Sequence, residues 1–260
     1  MANSPSGESM AHRIIRVIEA FDGEHRSLSA AELARRTGLP SSTAYRIVEE
    51  LLAESVLERD GQLLRLGTRL WELVSRSSKV LGLREAALPF MEDVQAVVGH
   101  HTVLGIIEKN EVLYIERIGS NESTINITKV AGRLPIHATS TGLVLTALGP
   151  AEDQELLLRR RLKRYTDTTT TDPDELRREL AEVRRMGYSV MAGTIVQEST
   201  GVAVPIFNAD GKAIAALSVV IPRLGGPLQT SITALQTAAR GVSRALGWDG
   251  TLRDAVRRSL

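Results

Sequence analysis

The sequence has no cysteine, which excludes disulfides, thiolate metal sites and thiol catalysis and fits a reducing compartment. Aromatic residues are only 3% of the chain, so its cores must be built from aliphatic side chains. No apolar run approaches the roughly 20 residues that a membrane span requires. The formal net charge of +1 supplies no general attraction to polyanions. The segment from 11 to 66 does no better, because Arg13, Arg16, Arg26, Arg35, Arg36, Arg46, Arg59 and Arg65 are set against nine acidic residues. Any affinity for nucleic acid must come from where charges are placed. There is no Gly-x-Ser-x-Gly elbow, no Gly-x-x-x-x-Gly-Lys phosphate loop and no dinucleotide fingerprint. The adjacent His100 and His101 would point their rings to opposite faces of an extended segment, and His137 has only loop hydroxyls as neighbours. No metal, cofactor or catalytic set is expected. The opening MANSPSGESM lacks the basic and apolar regions of a signal peptide, so a disordered tail is expected over residues 1–10 and a cytoplasmic location for the protein.

With 260 residues and 43% apolar side chains, the chain is long enough for two domains. The most informative stretch is SAAELARRTGLPSSTAYRIVEELL, Ser29 to Leu52. Good helix formers run from Ala31 to Thr37, and Gly38 supplies a permissive backbone on which to stop. Leu39-Pro40 breaks the run, and the Ser41 and Ser42 hydroxyls are placed to cap a second helix. In that helix Ala44, Ile47, Val48 and Leu51 share one face, leaving Ser42, Tyr45, Arg46 and Glu49 on the other. This is helix-turn-helix spacing, and the polar face is the one a major groove would receive. Behind it, two strand-like runs around Asp60-Gly61 form a hairpin, the wing of a winged helix-turn-helix. Ile14, Val17, Ile18 and Phe21 supply the preceding helix that closes a small core.

After this domain, at 11–66, an amphipathic linker helix is expected over 67–82, with Leu70, Trp71, Leu73 and Val74 available to a partner. A larger domain follows over 83–250, and then a C-terminal tail over 251–260. Leu83 to Val98 reads as a helix, and Thr102–Ile107 with Val112–Ile118 as a hairpin. Helices are expected over Thr141–Ala147, Ala151–Arg161 and Pro173–Met186. Strands are expected over Tyr188–Met191, Gly201–Asn208 and Lys212–Ile221, with a last helix from Leu228 to Leu246. The fold class is α+β, with a mainly antiparallel sheet flanked by helices.

The motifs LSAAELARRTGLPSSTAYRIVEELLAESVLERDG, LRLGTRLWEL, GRLPIHATSTG, LKRYTDTTTTDPDELRRELAEVRRMGYSV and GVAVPIFNADGKAIAALSVVIP occur in that order. Together they resemble the IclR family of bacterial transcriptional regulators from about Ala11 to Trp248. The resemblance implies a winged domain, a linker helix that dimerises and a GAF-like or profilin-like effector domain. It also implies double-stranded operator DNA, a small organic effector, and assembly as a homodimer or dimer of dimers. By position, Ser41, Ser42, Thr43, Tyr45 and Arg46 would contact groove and phosphates, Arg35 and Arg36 the backbone, and Arg59 and Arg65 would lie on the wing. Arg46 is the candidate base reader, with phosphate contact as its alternative.

The family's effector pocket maps to Leu134, Ser140 and Thr141 on one side and Asn126, Met191, Gly201, Ser218 and Val220 on the other. Members that bind small keto acids carry an acidic residue, a cysteine and a serine where this chain has Met191, Gly201 and Val220. Fewer polar groups and one missing side chain point to an aromatic or otherwise apolar acid rather than glyoxylate or pyruvate. A DNA-binding protein whose C-terminal domain only assembles oligomers, and an enzyme using that domain, remain as other readings.

Overall fold

The computed structural model describes residues 8–119 and 127–251, in two compact units, Met1–Leu81 and Gly82–Leu260. Most of each expected tail lies outside the described residues; Ser9, however, caps the first helix by accepting from the His12 N–H at 3.2 Å.

The first unit contains α1 (Met10–Glu19), α2 (Ala30–Thr37), α3 (Ser41–Ala53), β1 (Leu57–Asp60), β2 (Leu63–Leu66) and α4 (Thr68–Ser77). Its core joins Val17, Phe21, Leu28, Leu33, Ala44, Ile47, Val48, Leu51, Leu57 and Leu64. Helix α2 starts at a capping box, in which the Ser29 hydroxyl accepts from the Glu32 N–H and the Glu32 carboxylate accepts from the Ser29 N–H. It ends where Gly38 takes φ +64, the left-handed position that glycine fills without strain. The serines at the start of α3 are not caps. Pro40 holds that place, its carbonyl accepting from the Thr43 and Ala44 N–H groups. Ser41 and Ser42 are therefore first-turn residues with exposed side chains.

The wing also differs from expectation by one residue. Asp60 closes β1 opposite Leu63, and the two-residue loop is Gly61-Gln62, with the positive φ (+62) at its first position. Leu28 exchanges both backbone hydrogen bonds with Leu64, which ties the segment before α2 to the wing.

The second unit is built on a six-stranded, wholly antiparallel sheet in the order β5-β4-β3-β8-β7-β6. The strands are β3 (His101–Glu108), β4 (Glu111–Ile118), β5 (Arg133–Pro135), β6 (Ser189–Ala192), β7 (Ser199–Phe207) and β8 (Ala213–Pro222). On one face lie α5 (Lys79–Val98) and α9 (Leu228–Ala245), packed on Leu104, Val202, Val204, Leu217 and Val219. On the other lie α6 (Ser140–Ala147), α7 (Ala151–Leu158) and α8 (Pro173–Met186), packed on Val103, Val112, Tyr114, Ala203 and Ala216. Alternating residues of β3 and β8 thus serve opposite cores, as a strand's period of two requires.

The linker helix expected over 67–82 ends at Ser77, and α5 starts at Lys79 rather than Leu83. Two further features escaped the sequence pattern. The Gly132–Gly142 stretch, read as a loop, contains strand β5 and a 3-10 turn over Ile136–Ala138. Three residues ending in proline are too short to show alternation. Helix α7 stops at Leu158 rather than Arg161, because the chain turns there and leaves Arg159, Arg160 and Arg161 exposed. Among the described residues, no helix is long and apolar enough to cross a membrane.

Helix α3 separates core from surface sharply, and this sets an expectation for urea melts followed by circular dichroism. Ile47→Ala should destabilise the N-terminal unit by about 2–5 kcal/mol through the cavity it leaves. Tyr45→Ala, on the opposite face, should change stability by less than about 0.5 kcal/mol.

Candidate functional site

Two surfaces bring together the residues singled out in the sequence, one in each unit. The first is the outer face of α3 with the adjoining wing. Ser41, Ser42, Tyr45 and Arg46 are exposed there and Thr43 is half-buried, because Ala44, Ile47 and Val48 take the inward positions. The arginines are held in ion pairs. Arg46 Nη1 lies 3.4 Å from Glu50 Oε1, Arg59 Nη2 lies 2.7 Å from Glu49 Oε1, and Arg65 Nη2 lies 3.3 Å from Glu58 Oε2. Arg36 pairs with Asp22 at 3.1 Å, and Arg35 is exposed in the last turn of α2. Hydrogen bonds from His25 hold the Asp22 carboxyl down at about 2.

The near balance of charge in this unit therefore has a structural form, in which acidic residues position guanidinium groups. Such exposed pairs contribute little to stability and exchange readily for other anions. The Arg59–Glu49 pair links the wing to α3.

The second surface is a pocket in the C-terminal unit. Leu134, Ser140, Thr141, Met191, Gly201, Ser218 and Val220 all line it. Asn126 lies outside the described residues. The residues come from separate elements: Leu134 from β5, Ser140 and Thr141 from the first turn of α6, Met191 and Gly201 from cross-strand partners on β6 and β7, and Ser218 and Val220 from β8. Sequence reasoning missed Tyr114, Thr128, Thr139, Thr194, Ile195 and Ser199, which also line the pocket. Tyr114 lay in an expected strand, where a period-two pattern does not say which face meets a cavity, and the other five lay outside every expected element and had no signal.

Among the described residues, no acidic, basic or histidine side chain lines the pocket. Its polarity comes from hydroxyls and from one helix end. Thr141 Oγ1 donates to Ser218 Oγ at 3.2 Å, and Ser218 Oγ donates to the Val103 carbonyl at 3.3 Å. Thr139 caps α6 by accepting from the Gly142 N–H. The N–H groups of Ser140 and Thr141, at the first two helical positions, have no carbonyl within the helix to receive them. The Ser140 side chain points at Gly201, where an added Cβ would sit 2.9 Å from its oxygen. Gly201 is thus what leaves room for the serine and for whatever the pocket holds.

A threonine-rich strap fixes the pocket's outer wall. Thr166 Oγ1 donates to the Gly193 carbonyl at 2.6 Å, Thr168 Oγ1 to the Ala192 carbonyl at 3.2 Å and Thr169 Oγ1 to the Thr194 carbonyl at 2.6 Å. Thr194 Oγ1 then donates to the Ala138 carbonyl at 2.8 Å, closing the wall onto the 3-10 turn. The histidines are structural in this setting. His137 is buried, with Nε2 2.9 Å from the Lys163 carbonyl, and burial lowers its pKa. His101 is buried against the Arg117 guanidinium, and burial together with that charge keeps its pKa low.

Comparison with known proteins places both parts of the chain in one family. The family described as "IclR helix-turn-helix domain" matches residues 11–61, and "Bacterial transcriptional regulator IclR C-terminal" matches residues 76–244. An IclR homolog from Microbacterium hydrocarbonoxydans, crystallised in complex with 4-hydroxybenzoate, is 45% identical, with a TM-score of 0.85 over 92% of this chain and 99% of that one. An IclR homolog from Microbacterium sp. strain HM58-2 is 43% identical, with a TM-score of 0.61 over 92% and 98% of the two chains. The uncharacterized HTH-type transcriptional regulator RhmR of Escherichia coli (strain K12) is 34% identical over 226 residues, 85% of this chain and 86% of that protein.

Tyr114, buried beneath the hydroxyls of Thr139 and Thr141, gives the pocket a pH signature. Burial raises its phenol to about 12. The unfolded value is about 10. The stabilisation by the neutral phenol is therefore complete below about pH 10 and is lost as pH rises toward the folded value. In an ultraviolet absorbance titration of the four tyrosines, Tyr114 should ionise last, and Tyr114→Phe should remove the late phase. Loss of an early phase instead would contradict the burial argument.

Proposed function

The chain belongs to the IclR family of bacterial transcriptional regulators, and from that membership we propose a cytoplasmic regulator whose operator binding is altered by an aromatic monocarboxylate. The observation that carries the effector class is a pocket lined, among the described residues, by no charged side chain, walled by Leu134, Met191, Ile195 and Val220, into which α6 points its N-terminus. A carboxylate there is met by the free N–H groups of Ser140 and Thr141, the Ser140 hydroxyl and the positive end of the helix dipole. The ring fills the space that Gly201 leaves. A two- or three-carbon keto acid would leave much of that apolar wall without contact. The 4-hydroxybenzoate held by the Microbacterium hydrocarbonoxydans relative supports the same class.

The DNA-reading surface is α3, with Ser41, Ser42, Thr43, Tyr45 and Arg46 toward the major groove. Arg35 and Arg36 lie beside the backbone, and Arg59 and Arg65 on the wing. Arg46 leaves Glu50 for a base edge, since a weak exposed pair yields easily to a bidentate contact with guanine. The apolar stripe of α4 supports a homodimer, or a dimer of dimers, because Trp71, Leu73 and Val74 are 62%, 48% and 50% exposed. Effector binding acts by favouring one arrangement of the paired reading heads, to the extent of its differential affinity for the two.

Fluorescence anisotropy on DNA from upstream of the protein's own gene, against scrambled DNA at fixed salt, tests this reading. Selective binding that 4-hydroxybenzoate or benzoate alters, and that pyruvate and glyoxylate leave unchanged, is expected. The opposite ligand preference would defeat the aromatic assignment, and no selectivity would defeat the regulatory one. Arg46→Ala should lose about 1–3 kcal/mol on the operator and little on scrambled DNA. Equal loss on both would make it a phosphate contact. In calorimetry, Gly201→Val should weaken the aromatic acid at least tenfold by driving a side chain into the ring's space.

A further inference from the structure

A second cleft lies on the far side of Met191, between α8 and the free edge of β6, with an empty volume of about 970 Å³. Met191 and Thr194 line both it and the effector pocket. Its chemistry is the reverse of the first. Glu179 and Glu182 enter it from successive turns of α8, and none of its lining residues is Lys, Arg or His. Leu143, Val183, Met186, Tyr188 and Met191 supply apolar walls.

The polar atoms of this cleft are incompletely satisfied. Glu179 Oε1 accepts from Thr170 Oγ1 at 2.6 Å, but Oε2 is buried with no hydrogen-bond partner. Ser189, at 1% exposure and on the inward side of β6, also has an unpartnered hydroxyl. Glu182 pairs with Arg185 at 3.6 Å, out on the exposed rim. Burial, with Glu175 and Glu182 nearby, raises the Glu179 carboxyl above the usual range. A buried acceptor without a donor is costly, and a carboxylate without a cation more so.

We propose that this cleft binds a primary organic ammonium ion with an apolar body, such as an aralkylamine. The ammonium brings three donors and one positive charge to a place that holds acceptors and negative charge. Glu179 turns about its soft terminal torsion to present Oε2. Ser189 Oγ accepts a second bond, the third donor is left to water at the rim, and the apolar body lies along Met186, Tyr188 and Met191. A bare metal ion would find no use for those walls. Because Met191 is shared, amine and effector alter each other's affinity by the same factor. The inference does not depend on the DNA-binding reading.

Titration calorimetry on the full chain, with benzylammonium as probe and benzyl alcohol as its uncharged counterpart, tests it. Saturable benzylammonium binding, at least tenfold weaker in Glu179→Gln and weakened in Ser189→Ala, is expected. Benzyl alcohol should not bind. Removing a carboxyl that burial disfavours should keep Glu179→Gln at least as heat-stable as the native chain at neutral pH, so its loss of binding cannot be ascribed to unfolding. No benzylammonium binding, equal binding by Glu179→Gln, or equal binding of benzyl alcohol would overturn the proposal.

Discussion

At Gly142 helix α6 meets the backbone of Ile136 so closely that a Cβ would lie 2.2 Å from the Ile136 carbonyl oxygen, and much of the C-terminal unit depends on that approach. All eight residues of α6 are buried, so the helix has no solvent face with which to adjust its position. Gly105 on β3 makes room on the opposite side, where a Cβ would lie 2.9 Å from the Thr141 methyl group. Pinned between a 3-10 turn and the sheet, α6 aims its N-terminus into the pocket at a fixed depth. Such a site can recognise an anion without a cationic side chain, because its partial charges are held in place by packing.

The pocket's other wall is held by hydrogen bonds. The Thr166–Thr169 hydroxyls donate to the carbonyls of Ala192, Gly193 and Thr194 at the end of β6, where an edge strand would otherwise present open acceptors. The same strap covers the end of β6 and sets the position of Thr194, whose hydroxyl reaches Ala138. β6 consequently separates two spaces of opposite character, one lined by hydroxyls and a helix N-terminus, the other by carboxylates. Met191 stands between them as a flexible, polarizable partition.

In the N-terminal unit the corresponding constraint is electrostatic. Acidic residues nearly equal basic ones, and Glu49, Glu50, Glu58 and Asp22 hold Arg59, Arg46, Arg65 and Arg36 at the surface. Net charge therefore says little about this unit's capacity to meet a polyanion. What matters is that these partners are exposed and weakly bound, so a phosphate can replace them without loss of the fold.

The sequence by itself determined the elements whose physics is local. The stripe of Ala44, Ile47, Val48 and Leu51, the left-handed stop at Gly38 and the hairpin of β3 and β4 follow from periodicity and turn chemistry. The antiparallel sheet with helices on its flanks followed from their order, and the family's motifs gave seven residues that line one pocket. Tertiary structure decided what has no local signal. Strand β5 exists because β4 offers it an edge, since three residues cannot specify a strand alone. Pro40 displaced Ser41 from the cap because the turn geometry, not side-chain preference, set the start of α3. Tyr114 and Thr194 came to one pocket, and Glu179 and Ser189 to one cleft, only when strands and helices far apart in sequence were packed together. Periodicity records which side of an element is buried; only packing fixes which buried atoms meet and which are left without a partner.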